Sequence, residues 1–251
     1  MGLSMATAEL WVQRWEHQQQ RYALDRDERF TVIADVVEHV TSGQAQPVVA
    51  DLGCGPGSLA ARLARRLPHA AIVAVDTDPL LLELGRTHHA SAARFVRTEI
   101  GQDGWTDALG LDGRLDAAVS ATALHCLGTD ALSRTYKDLA ALLRPGGVLV
   151  NSDGLRPVDG RTAEIVRHVG LRRSERQRLS AHEDWESWWM AAEEDPELAG
   201  LLPDRPRRQP SPIPNNALTL SHHVDLLRQA GFEDVTTVWQ FGGDFVLVAI
   251  R

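Results

Sequence analysis

Apolar positions along the 251-residue chain follow two rhythms. Near the amino end they recur every three or four residues. Trp11, Trp15 and Gln18 share one helical face, and Phe30, Ile33, Ala34 and Val37 share another, before Thr41-Ser42-Gly43 ends the second helix. From residue 47 onward, short apolar runs alternate with helical stretches. Strands are predicted over 47–52, 71–76, 94–98, 114–120 and 148–151, with helices over 58–67, 79–88 and 130–143. Arg144-Pro145-Gly146-Gly147 reads as a tight turn into the fifth strand. Such alternation implies a parallel sheet with helices on both faces. Near the end, a helix over 221–230 stops at Gly231, and apolar segments 232–241 and 244–250 are joined by Gly242-Gly243, a hairpin signal.

Residues 155–215 interrupt this pattern with a charged helical stretch, the cluster Trp185, Trp188 and Trp189, and a proline-rich linker from Pro203 to Pro214. They read as a helical cap inserted after the fifth strand. The expected organisation is therefore a helical segment (1–46), a core (47–154), the cap (155–215), and a helix with hairpin (216–251) that completes the core sheet. The fold class is α/β: a doubly wound, seven-stranded, mostly parallel sheet with an antiparallel C-terminal hairpin.

Composition narrows the function classes. Hydrophobic residues make up 43% and charged residues 24%, an ordinary globular balance, and no apolar run approaches a bilayer-spanning length. The first residues lack the basic and apolar regions of a secretion signal, so a cytoplasmic location is expected. A net charge of −8 argues against broad nucleic-acid binding, and the arginines at 172, 173, 176, 178, 205, 207 and 208 read as solvated faces. Cys54 and Cys126 have no metal-ligand spacing, and the neighbouring pairs His88-His89 and His222-His223 are poorly placed to share a metal, so no metal is expected.

The chemistry concentrates where the first predicted strand ends, at Asp51-Leu52-Gly53-Cys54-Gly55-Pro56-Gly57-Ser58. Glycines at a strand-to-helix turn permit positive φ and let backbone approach a ligand at the helix N-terminus. The second strand ends in Asp76, 23 residues beyond Gly53, completing the layout of a nucleoside-binding site. The glycine spacing departs from the dinucleotide pattern, since position 58 is Ser. Asp51 would repel a pyrophosphate and suits a cationic sulfonium ligand that carries an amino group. Asp76 can accept hydrogen bonds from both ribose hydroxyls. Its alternative, capping the helix that begins near Pro79, falls better to Asp78.

On these residues the chain resembles the class I S-adenosylmethionine (SAM) methyltransferases, whose first motif reads D/E-x-G-x-G-x-G. The closing hairpin is a second shared trait. The resemblance spans about residues 47–152 and, by pattern, 216–251. It implies SAM as cofactor, S-adenosylhomocysteine (SAH) as product, and Asp51, Gly53, Gly55, Gly57 and Asp76 as its binding residues, with Thr77 beside the adenine. It also implies that Glu99 reaches the adenine amino group, unless it is an exposed loop acid, and that Ile100 packs on the ring. Ser120-Ala121-Thr122-Ala123-Leu124-His125-Cys126-Leu127 is similar to the family's fourth motif, which sets Ser120 and Ala121 against the methionine portion. His125 is then either a general base, for which an ordinary pKa near 6.5 is suitable, or a residue that caps the loop. In similar proteins a helix before the first strand covers the cofactor and supplies an aromatic and an arginine. Tyr22 and Arg29 are the candidates, with Arg26 a rival for the cofactor carboxylate. Trp185, Trp188 and Trp189 are either core or, under an overhanging cap, substrate contacts.

The implied activity is transfer of a methyl group to an O, N or C nucleophile of a small molecule. The competing readings are a tRNA or protein methyltransferase, an NAD-dependent oxidoreductase, and a non-catalytic SAM-binding protein.

Overall fold

The structure is a computed structural model describing residues 2–111, 113–154, 160–202 and 218–251. Helices α1 (Met5–Gln20) and α2 (Arg26–Thr41) precede the sheet. There follow β1 (Val48–Leu52), α3 (Ser58–Arg66), β2 (Ala71–Asp76), α4 (Pro79–His88), β3 (Arg94–Arg97), β4 (Leu115–Ala121), α5 (Thr129–Leu142) and β5 (Leu143–Gly154). Helices α6 (Arg161–Gln177) and α7 (Trp185–Glu194) come next, then α8 (Leu220–Ala230), β6 (Asp234–Phe241) and β7 (Asp244–Ile250). The proline-rich stretch 203–214, with the arginines at 205, 207 and 208, lies outside the described residues.

The seven strands form one sheet in the order β3-β2-β1-β4-β5-β7-β6. The first five are mutually parallel, whereas β7 is antiparallel to both β5 and β6, as the hairpin signal required. Period-two alternation splits the strand residues between two faces. Val49, Ala74, Val119 and Val150 join Ile33 and Val37 of α2 and Leu63 of α3 on one side. Ala50, Val75, Ala118 and Leu149 join Leu132, Tyr136 and Leu139 of α5 and Leu227 of α8 on the other. Both faces are covered, which is why these strands read as continuous apolar runs.

Two boundaries differ from the sequence pattern. The fifth strand runs from Leu143 to Gly154 rather than 148–151, because Ser152, Asp153 and Gly154 pair with Val246, Phe245 and Asp244 of β7. That partner is distant in sequence and invisible to local periodicity. The turn at Gly146 (φ +73°) is absorbed as an irregularity where β5 leaves its pairing with Leu115. By contrast α4 begins as expected: Asp78 caps it, accepting from the N–H groups of Leu80 and Leu81 at 3.0 and 3.2 Å, with Pro79 following.

Helix α1 lies away from the sheet. Ala8, Trp11, Val12 and Trp15, spaced three and four apart, pack on Leu80, Leu81 and Leu84 of α4 and on Trp188 and Trp189 of α7. Trp188 meets Trp11 and Trp15 edge-to-face, each at a centroid distance of 5.2 Å. Polar ties lock the same elements together. Arg14 pairs with Glu183, the Trp11 indole donates to Asp195 at 2.8 Å, and the Tyr22 hydroxyl accepts from the Trp185 N–H at 2.9 Å.

Candidate functional site

In the strand order, the chain leaves the β3-β2-β1 half and re-enters beside β1 as β4. This reversal opens a crevice at the carboxyl ends of β1 and β4, the place where open α/β sheets bind ligands. A cavity of about 650 Å³ occupies it. Its floor is the glycine turn: Gly53 and Gly55 line the cavity with φ of +69° and +54°. Gly57 caps α3 in the same left-handed region, but its neighbours are packing atoms, since a Cβ there would lie 2.7 Å from the Phe95 ring. It shapes the turn from outside the cavity lining.

Three carboxylates surround the floor. Asp76 accepts from the N–H of Gly55 at 2.9 Å and of Asp78 at 3.0 Å, so it holds the turn in shape at the wall of the cavity it lines. Asp51 is buried and accepts from the Ala60 N–H at 3.0 Å. Burial, aided by the nearby Asp76 charge, pushes its carboxyl up to about 7 despite that hydrogen bond. A cation arriving beside it would remove that penalty. Glu99 and Ile100 line the cavity after β3, as does Thr77 after β2.

The opposite wall comes from the loop after β4. Ala121, Thr122, Ala123 and His125 line it, while Ser120 lies just beneath, donating to the Leu52 carbonyl at 2.9 Å. Thr122 has φ +53°, uncommon for a β-branched residue, and is held there by its N–H bond to the Ser152 carbonyl at 2.9 Å. His125 is fixed by Asp153 at the end of β5. Its Nδ1–H donates to Asp153 Oδ1 at 2.6 Å and its backbone N–H donates to Oδ2 at 3.1 Å. Burial opposes the imidazolium, but the Asp153 carboxylate outweighs it, and the His125 pKa is raised to about 10. His125 is therefore a cation at neutral pH, not the free base that its ordinary pKa suggested.

The roof joins the N-terminal segment to α7. Trp15, Gln19, Tyr22, Arg26 and Trp185 all line the cavity. Trp188 and Trp189 do not, being consumed by the core of α1, α4 and α7. Arg29 also lies outside the lining: its guanidinium is buried, donating to Ser152 Oγ at 2.7 Å and Asp244 Oδ1 at 2.9 Å. The cation of that helix at the cavity is Arg26, paired with Glu16 of α1. Asp153, Thr122 and Trp15 escaped the sequence reading as site residues. Asp153 alone left a signal, an acid at the carboxyl end of a strand in a sheet where Asp51 and Asp76 hold the same position.

Residues 49–147 match a family model described as a methyltransferase domain. Over this stretch the chain is similar to the class I SAM-dependent methyltransferases. An uncharacterised methyltransferase of Mycobacterium tuberculosis is 43% identical over 104 residues, covering 40% of this chain and 47% of that one. A trans-aconitate 2-methyltransferase of Delftia acidovorans is 35% identical over 123 residues, covering 49% and 43%. The chain spans about half the length of the curated relatives it matches. Among solved structures, human N-acetylserotonin methyltransferase in complex with SAM aligns with a TM-score of 0.54 at 18% identity, covering 95% of this chain and 56% of that one. That likeness is one of fold.

The residues that line the crevice fit SAM, the cofactor of the family they resemble. Gly53 and Gly55 bring backbone to the cavity wall, and the carboxylates of Asp51, Asp76 and Glu99 can accept from amino and hydroxyl groups. No helix among the described residues is long and apolar enough to cross a membrane. Among the same residues, no group of three or more His, Cys, Asp or Glu is placed to hold a metal ion.

Proposed function

We propose that the protein transfers the methyl group of SAM to an O, N or C nucleophile of a small-molecule acceptor. The roofed cavity carries this reading. Trp15, Tyr22 and Trp185 line the same space of about 650 Å³ as Gly55 and Asp76, a size and enclosure suited to small ligands. The trans-aconitate relative, named for a small acceptor, supports it. An open groove would favour tRNA or protein, and the net charge of −8 adds nothing for a polyanion.

Bound SAM supplies an electrophilic methyl on a sulfonium centre, whose charge is lost on transfer. The protein's task is then binding, alignment and exclusion of water. In this reading Asp76 accepts the ribose hydroxyls, Asp51 faces the cationic end of the cofactor, Thr77, Glu99 and Ile100 surround the adenine, and Ser120 and Ala121 lie against the methionine portion. The described residues of segments 1–46 and 155–215 serve as cover, and those of 47–154 and 216–251 as the cofactor-binding core.

Calorimetric titration with SAM, using NAD as control, tests the cofactor assignment. Wild type binds SAM and not NAD, and Asp76→Asn weakens SAM by about 10- to 100-fold, the worth of charge-assisted hydrogen bonds. Unchanged affinity in the variant overturns the ribose role. Tritium from methyl-labelled SAM entering the protein or tRNA fraction of a cell extract, rather than the small molecules, overturns the acceptor class.

A further inference from the structure

We infer that the acceptor is a small carboxylic acid, bound as its carboxylate by His125 and converted to a methyl ester, with Asp153 as the positioning residue. This rests on the methyltransferase reading and names the substrate class of that site.

The argument begins with Asp153, a carboxylate only 2% exposed. A buried carboxylate either shifts toward its neutral form, as Asp51 does, or is held by a charged partner. Among the described residues, His125 is the one cation within ion-pair reach of it. The other titratable groups that face the pair cannot take its place. Tyr136 of α5 bonds through its hydroxyl to Nδ1 of His223 of α8 at 2.7 Å; burial raises the tyrosine and lowers the histidine, so both are neutral. Asp244 of β7 is another acid and takes the Arg29 guanidinium. Cys126, in the same turn, also bonds the imidazole. Folding therefore holds a proton on each ring nitrogen: Nδ1–H is given to Asp153, and Nε2–H is left for the cavity and its Cys126 neighbour.

A protonated imidazole cannot abstract a proton, so a phenol or an alcohol would find no base at this position. An ammonium acceptor would be repelled. A carboxylate needs no deprotonation at neutral pH and matches an N⁺–H donor. Its oxygen lone pair forms the new O–CH₃ bond as the S–CH₃ bond breaks. That electron pair stays on sulfur, the carboxylate and sulfonium charges cancel, and no proton moves. Tyr22 and Trp185, on the roof, offer aromatic surface to the acid's apolar body.

The test uses the full chain loaded with SAH. Nitrogen-15 NMR of its histidines should show His125 as an imidazolium at about pH 7.5, its ring signals moving with phenylacetate and not with phenylacetamide. With methyl-labelled SAM and a small-molecule cell extract, the tritium incorporated should be base-labile, as an ester releases methanol. His125→Gln should cut ester formation about 10- to 100-fold through KM for the acid, leaving SAM affinity within about twofold. Wild-type activity should stay flat with rising pH until it falls near 10, where His125 loses its proton. Asp153→Asn should move that fall to lower pH, burial then being opposed by Cys126 alone. A neutral His125 in the SAH complex, absent or base-stable label, or an amide that binds as well as the acid overturns the inference. Failure to bind SAH would instead remove the methyltransferase reading itself.

Discussion

An alanine at position 53 carries two separable penalties. The first is conformational: Gly53 sits at φ +69°, where a Cβ costs about 1–2 kcal/mol. The second is steric. The added Cβ would lie 2.3 Å from the Cβ of Ala123, on the loop that carries His125. Relieving such an overlap in packed surroundings costs about 1–3 kcal/mol. Gly53→Ala should therefore destabilise the protein by about 2–5 kcal/mol, read as a lower urea midpoint at unchanged slope. Ala123→Gly removes the steric partner but not the φ penalty, at an entropic cost of its own of about 0.5–1 kcal/mol. The double variant should be more stable than the sum of the singles by about 1–3 kcal/mol, a coupling that a double-mutant cycle isolates. SAM affinity should fall in Gly53→Ala and recover in the double variant, because the new Cβ points at the β4 loop. An additive cycle, or a Gly53→Ala protein with wild-type stability, refutes the claim that the two loops are in direct contact.

Two further outcomes follow from the site. Asp51, raised to about 7 by burial, must be ionised to meet a cation, so SAM affinity should climb with pH from about 5 to 7, by up to tenfold per unit, and then level. Asp51→Asn should abolish the slope; a pH-independent wild type contradicts the assignment. Trp188→Ala, at the centre of the α1–α4–α7 core, should cost about 3–5 kcal/mol, whereas Trp185→Ala should cost less and act mainly on acceptor KM. The reverse ranking in thermal melts would show that the roof and the core have been exchanged.

The glycine turn, Asp76, the cap at Asp78 and the closing hairpin were legible because each depends on neighbours within a few residues. Turn geometry, capping and strand alternation are local physics, and local physics is written in spacing. The same holds for the division of strands and helices across the core. The resemblance to a methyltransferase family was legible for the same reason, since this side of the crevice is built from one strand–turn–helix unit and the strand beside it.

What only the tertiary structure decided concerns pairs far apart in the chain. Ser152 and Asp153 extend β5 because β7, more than ninety residues later, lies against them (Asp153 opposite Phe245). Arg26 rather than Arg29 lines the cavity, because Asp244 and Ser152 claim the latter. Of three tryptophans at helical spacing, Trp188 and Trp189 go to the core and Trp185 to the cavity, according to where α1 lies. His125 has an ordinary side chain in sequence. Its charge state is set by a buried carboxylate 28 residues away, through a field that spacing cannot encode.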